Sequence, residues 1–224
     1  MRRPSAAGVA LLAGLALAAC ESSITGGSLG EGTASMTVLF APPSRPSAAP
    51  AAQLVAVSFT DTVYQGGFDT TLVASPGDTL RFEEIPPGDY QLAMEASTAV
   101  TAPAGTYVVW TSSQRVILLP GSVGEPVVTP DPFEVSGFST SSTLPLTVGD
   151  PLNLSWTAVP RAADYRVSWR VGPSGPVSDT VTTGTSIAVV LGDAGTYTVT
   201  IAPRTEGGAD GWPVDLATTV EVTN

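Results

Sequence analysis

Apolar and polar residues alternate one by one along most of this chain, in short runs separated by Gly, Pro, Asp and Ser. A period of two marks strands with one buried face, not helices. Met36, Val38 and Phe40 make the first run. Pro42, Pro43, Pro46 and Pro50 interrupt it, because proline has no amide to give to a ladder, and Val55, Val57 and Phe59 resume it. A turn at Gly66-Gly67, a strand over 70–74 and a turn at Pro76-Gly77-Asp78 follow. Leu80 and Phe82 share a face, and Ile85 leads into Pro86-Pro87-Gly88. Tyr90, Leu92, Met94 and Ala96 then alternate with Gln91, Ala93 and Glu95, which predicts a strand, a Pro-Gly turn and a second strand. Two further strands, over 106–110 and 114–119, complete a seven-stranded unit ending near 129.

Pro130-Asp131-Pro132 marks a boundary, and beyond it the alternation is the clearest in the chain. Leu152, Leu154 and Trp156 share one face; Tyr165, Val167, Trp169 and Val171 share another; Tyr197, Val199 and Ile201 share a third. Such runs predict a two-sheet antiparallel sandwich. The expected architecture is therefore all-β, with one sandwich over 36–129, a linker over 130–136 and a second sandwich over 137–224.

Two of these phrases resemble known folds. The aromatic strand leading into Pro87-Gly88-Asp89-Tyr90 resembles the prealbumin-like or carboxypeptidase-regulatory-like sandwich, whose relatives include carbohydrate-binding modules and purely structural spacers. Leu152-Asn153-Leu154-Ser155-Trp156, Ala163-Asp164-Tyr165-Arg166-Val167 and Ala194-Gly195-Thr196-Tyr197-Thr198-Val199 resemble, in this order, the second, third and sixth strands of a fibronectin type III domain. That resemblance implies an immunoglobulin-like sandwich with Trp156 and Tyr197 in its core. It implies little about function, because this fold carries many functions.

The first twenty residues do not follow the alternation. Arg2 and Arg3 form a basic head, 9–19 is unbroken Ala, Leu, Val and Gly, and Cys20, the chain's single cysteine, comes next. A charged head, a short apolar run and small residues make a secretory leader, too short for a spanning helix. Leu17-Ala18-Ala19-Cys20 resembles the lipobox of bacterial lipoproteins. The resemblance implies cleavage of 1–19, lipidation of Cys20 and anchoring of the mature chain in the membrane by its acyl chains. Glu21 in the following position leans toward the outer membrane of the cell envelope, and the Gly-, Ser- and Thr-rich stretch up to Ser35 reads as a flexible tether, so that 20–35 is the lipidated tether.

Charge narrows the partners. All nine basic residues are Arg, and against them stand twenty Asp and Glu, for a net charge of −11. An acidic surface without a basic patch excludes nucleic acid and repels anionic lipid headgroups. With Cys20 lipidated no disulfide is left, so the fold rests on packed strands.

Catalytic chemistry finds little material. The chain has no His and no Lys, hence no imidazole or amine general base, and neither a zinc pattern nor a phosphate loop occurs. Glu83-Glu84 is the one adjacent acidic pair, and on a strand the two would face opposite sides. Glu206 and Asp210 are only two acids and lack the spaced triplet of a calcium loop. The sequence thus predicts no enzyme, no cofactor, no metal and no catalytic residue. Among the tryptophans, Trp156 is expected in the core and Trp212, between Gly211 and Pro213 with Asp210 beside it, is least explained by packing. Trp212 and Asp210 are the candidate binding residues, suited to stacking on a sugar ring or anchoring a protein contact. The alternative is that Trp212 folds back over the open end of the core. The expected function is a membrane-anchored, non-enzymatic binding or adhesion module for a glycan or a protein. The alternative is a spacer subunit of an envelope protein complex.

Overall fold

The structure, a computed structural model, describes residues 32–41, 47–62, 70–75, 78–101 and 104–224. The leader, Cys20, most of the tether and the Gly66-Gly67 turn lie outside the described residues. The described chain is all-β, as the alternation predicts. It forms two compact units. One takes Leu54–Met94, Ser112–Thr129 and the chain up to Pro42; the other takes Pro43–Gln53, Glu95–Thr111 and Pro130–Asn224.

The first unit contains β1 (Ala34–Phe40), β2 (Leu54–Asp61), β3 (Thr70–Ala74), β4 (Leu80–Ile85), the first half of β5 (Gly88–Thr101), the last part of β6 (Ala104–Leu118), β7 (Val123–Gly124) and β8 (Val127–Val128). Strand β1 pairs antiparallel with β4 on one side and parallel with β7 and then β8 on the other. The second sheet runs β3-β2-β5-β6. Met36 and Val38 on β1, Val57 and Phe59 on β2, and Tyr90 and Leu92 on β5 are fully buried, the period-two faces of the sequence turned inward.

Two local features depart from the sequence expectation. The strands expected over 106–110 and 114–119 are one continuous strand, β6, because Thr111 is buried in line with its neighbours and no Gly or Pro interrupts 106–119. Glu83 and Glu84 do not face opposite sides. The β1–β4 register steps from Ala34↔Ile85 to Met36↔Phe82, so one strand carries an extra residue, Glu84 takes φ 54°, and both side chains are exposed. Glu83 pairs with Arg81 at 2.9 Å.

After β6 the chain turns at Leu119-Pro120-Gly121-Ser122. Proline at the second position and Gly121 at φ +70° suit a tight turn that needs a left-handed third residue, and Ser122 N donates to Leu119 O at 3.0 Å. Across the sheet, Arg115 Nε donates to both oxygens of Asp89, at 2.7 and 2.8 Å, and holds that carboxyl below the usual carboxylate range.

The second unit contains the far end of the β5–β6 hairpin with β9 (Asp131–Pro132), β10 (Ser136–Thr140), β11 (Leu146–Thr147), β12 (Pro151–Thr157), β13 (Asp164–Val171), β14 (Ser178–Thr182), β15 (Ser186–Val190), β16 (Gly195–Arg204), β17 (Val214–Asp215) and β18 (Val220–Thr223). One sheet runs β10-β12-β15; the other runs β11-β18-β16-β13-β14, with β17 also on β16. Leu152, Leu154 and Trp156 from the first sheet meet Val167, Val199 and Ile201 from the second in one core. Trp156 packs edge-on against Tyr165 and Phe138. Residues 130–136, expected as a linker, carry β9 on β6 and two core side chains, Phe133 and Val135. Their alternation is too short to read as a strand from sequence.

Candidate functional site

Asp210 and Trp212 lie on the segment that leaves β16 and returns as β17. Its backbone is pinned on both sides within the second unit. Gly208 N and Ala209 N donate to Thr205 O and Oγ1, closing the bend. Val108 N on β6 donates to Asp210 O at 2.9 Å, and Trp212 N donates to Phe133 O at 3.2 Å. Gly211 is squeezed between them. A Cβ there would stand 2.6 Å from Phe133 O and 2.6 Å from Pro203 Cγ, so only glycine lets these backbones approach.

The Asp210 carboxylate is held by two arginines from neighbouring strands. Arg166 Nη1, on β13, donates to Oδ2 at 2.7 Å. Arg204 Nε, at the end of β16, stands 3.4 Å from Oδ1 without hydrogen-bond geometry. Arg204 Nη1 also donates to Asp164 Oδ1 at 3.1 Å, and Arg166 Nε lies 3.7 Å from Asp179. Three carboxylates and two guanidiniums therefore form one half-buried ionic cluster. Partial burial strengthens such attractions, and the network cancels much of the desolvation that isolated charges would suffer.

Trp212 is half-buried, not fully in the core. Its indole meets the Tyr107 ring edge to face, with centroids 5.6 Å apart. Burial pushes the Tyr107 hydroxyl above its ordinary pKa; the Asp210 charge adds to the rise and Arg166 opposes it. On the other side Glu134 accepts from Ser47 Oγ at 3.0 Å and from Ala48 N at 3.1 Å.

Sequence reading singled out Trp212 and Asp210. The structure brings Tyr107, Arg166, Arg204, Asp164 and Asp179 to them. Arg166 comes from 44 residues away, so no local spacing shows the pair. One usable signal was present: Asp164, Arg166 and Ser168 occupy the polar face of a strand whose other face is core, which aims two charges the same way. The carboxylate of Asp210 thus has guanidinium partners already, while the Tyr107–Trp212 pair keeps part of its surface in solvent. Among the described residues no three His, Cys, Asp or Glu side chains gather where they could hold a metal, and no helix is long and apolar enough to cross a membrane.

No family model and no curated protein matches the chain. Solved structures similar to it include a two-domain fibronectin type III segment from chicken tenascin, at 15% identity, 78% of this chain, 87% of that one and a TM-score of 0.36. They also include the FN1-FN3 domains of chicken CNTN1, at 11% identity, 76% of this chain, 55% of that one and a TM-score of 0.30. The fold of the second unit follows from its own strands. Three of them, β10-β12-β15, face β14-β13-β16-β18, which makes it a fibronectin type III-like sandwich. Tyr197, at the start of β16, donates its hydroxyl back to Asp193 O at 3.0 Å, the tyrosine corner of such sandwiches.

Proposed function

We propose that this chain is a lipoprotein of the bacterial cell envelope, tied to the outer membrane through acylated Cys20, that binds a glycan or an envelope protein without catalysing a reaction. On this reading 1–19 is the leader, 20–35 the lipid-bearing tether, the first unit a prealbumin-like module, and the second unit, which takes in 95–111 and 130–224, the fibronectin type III-like module. The observation that carries the binding reading is the Tyr107–Trp212 pair. Two amphipathic rings, each partly in solvent, sit on a backbone pinned by Val108 and Phe133. Rigid aromatic anchors of this kind contribute contact area at low entropic cost. Asp179, half-exposed beside Arg166, supplies a polar group at the rim.

The spacer reading is favoured by a different observation, the pairing of Asp210 with Arg166 and Arg204, which serves the unit's own stability. A Tyr107→Ala/Trp212→Ala double variant separates the two. As a binding module it loses retention on immobilised envelope polysaccharide or envelope protein extract at least tenfold, with a Tm shift of only a few degrees. As a spacer it loses Tm and binds as before. Acylation is tested on its own: Cys20→Ser is expected to abolish the lipid-modified N-terminal peptide in mass spectra and to release the protein from the membrane fraction.

A further inference from the structure

The first unit has an apolar surface that its own fold leaves uncovered. Between the end of β6 and the β7–β8 strands runs an open groove of about 510 Å³. Ile117, Leu119, Val123 and Val127 line it and are 62%, 65%, 68% and 55% exposed. These four aliphatic side chains share the groove with the polar Gln114 and Ser122. The groove's charges are one of each sign, Glu125 and Arg115. The guanidinium of Arg115 is engaged by Asp89.

The position of this surface on the chain says what covers it. The described chain comes in at Gly32 beside the Pro120-Gly121 turn, the end of the groove that carries Leu119 and Val123. Gly121 N donates to Thr33 O at 3.2 Å and Ser35 N to Ser122 O at 3.0 Å, so the first strand is fixed there. Cys20 is twelve residues earlier. A chain of that length and composition reaches roughly 20 Å. A lipid at Cys20 therefore keeps the groove's rim within roughly 20 Å of the bilayer surface.

We propose that this groove docks on the membrane, its four aliphatic side chains entering the headgroup–acyl boundary of zwitterionic lipid. The inference rests on the acylation of Cys20 proposed above. The acidic chain disfavours an anionic surface, and a groove whose one arginine is already held by Asp89 adds nothing to attract one.

The experiment uses the full acylated protein in phosphatidylcholine vesicles, with an environment-sensitive fluorophore on Val123→Cys. The acylated Cys20 leaves no competing thiol. Val73→Cys, on β3 at the opposite edge of the same unit, is the control, and Val127→Cys is a second reporter should the first fold poorly. Nitroxide-bearing lipids are expected to quench the Val123 label at least threefold more than the Val73 label. An acyl-modified N-terminal peptide in mass spectra with equal quenching at both positions would overturn the docking and leave the anchor standing. Absence of the acyl chains would overturn both. A blue shift of the Val123 label that grows with protein concentration in detergent, without vesicles, would assign the surface to a second copy of the chain and overturn the docking as well.

Discussion

Each unit folds one tyrosine back on the turn before it, and the two versions differ in instructive ways. Tyr90 follows Pro86-Pro87-Gly88-Asp89, and its hydroxyl donates to Pro86 O, four residues back, at 2.7 Å. Tyr197 follows Asp193-Ala194-Gly195-Thr196 and donates to Asp193 O over the same spacing. There the likeness ends. Pro86 has no amide hydrogen, so at that residue the Tyr90 hydroxyl can tie down the carbonyl alone. Asp193 has one, and Tyr197 accepts from it at 3.1 Å while donating to its carbonyl. The glycine two residues before each tyrosine is also needed for different reasons. A Cβ on Gly88 would stand 2.9 Å from the Tyr90 ring, whereas Gly195 has φ +145° and would drive a Cβ to 2.7 Å from Val171 Cγ2. One spacing gives one closure, but the first corner is built on ring packing and the second on backbone geometry.

The largest effects should come from removing the rings. Tyr90 is buried and stacked on Phe59, with centroids 4.3 Å apart. Tyr90→Ala is expected to cost about 3–5 kcal/mol, as for other buried aromatics, out of a total near 5–15 kcal/mol. Tyr197→Ala should cost less, because its ring lies nearer the surface. Denaturant melts rank the two, and amide exchange in β5 and β16 shows which unit loosens. Loss of protection in both units from either change would mean that the corners do not act locally.

The glycines come next and should reverse the order. Gly195→Ala meets both a forbidden backbone and Val171, and strain of this kind costs roughly 1–3 kcal/mol. Gly88→Ala asks only the Tyr90 ring to move, and the expected loss, about 1 kcal/mol, is that of its hydrogen bond. A double-mutant cycle sharpens this. Gly88→Ala should cost less in a Tyr90→Phe background, whereas Gly195→Ala should cost the same with Phe at 197.

Much of this was legible in the sequence. Alternation placed most strands, and Pro87-Gly88-Asp89-Tyr90 and Gly195-Thr196-Tyr197 marked two turns and the strands that follow them, though not the hydroxyl bonds that close the corners. The other illegible parts are non-local. The far end of the β5–β6 hairpin, 95–111, belongs to the second unit, which only its pairing with β9 and with Asp210 reveals. Asp210 looked like a solvent-facing acid because its two arginines come from other strands. Glu83 and Glu84 looked opposed because a bulge leaves no mark in a residue pattern.

Replacing only the hydroxyls gives smaller changes. Tyr197→Phe leaves both the N–H and the C=O of Asp193 without that partner, and Tyr90→Phe leaves Pro86 O without its own. Costs of about 1–2 and about 0.5–1 kcal/mol are expected, since a net hydrogen bond contributes about 1 kcal/mol. Equal losses at the two positions would show that the Asp193 amide finds water instead.

At neutral pH the last effect vanishes, and it separates the corners by charge. Burial, with the Asp61 carboxylate adding to it, pushes the Tyr90 hydroxyl up to about 12 from its ordinary value near 10. The folded state therefore holds this proton more tightly than the unfolded chain does. Its contribution is complete below pH 10, falls as the pH rises from 10, and is gone above about 12. The urea midpoint of wild type should slope downward across that window. Tyr90→Phe, which has no proton to lose, should flatten the slope while starting from a slightly lower midpoint. Tyr107, also raised by burial, adds a slope of its own in the second unit, so Tyr107→Phe serves as the background in which the measurement is cleanest. If Tyr90→Phe keeps the full alkaline slope in that background, the Tyr90 hydroxyl ionises as freely in the fold as out of it, and the first corner is neither dry nor tightly packed.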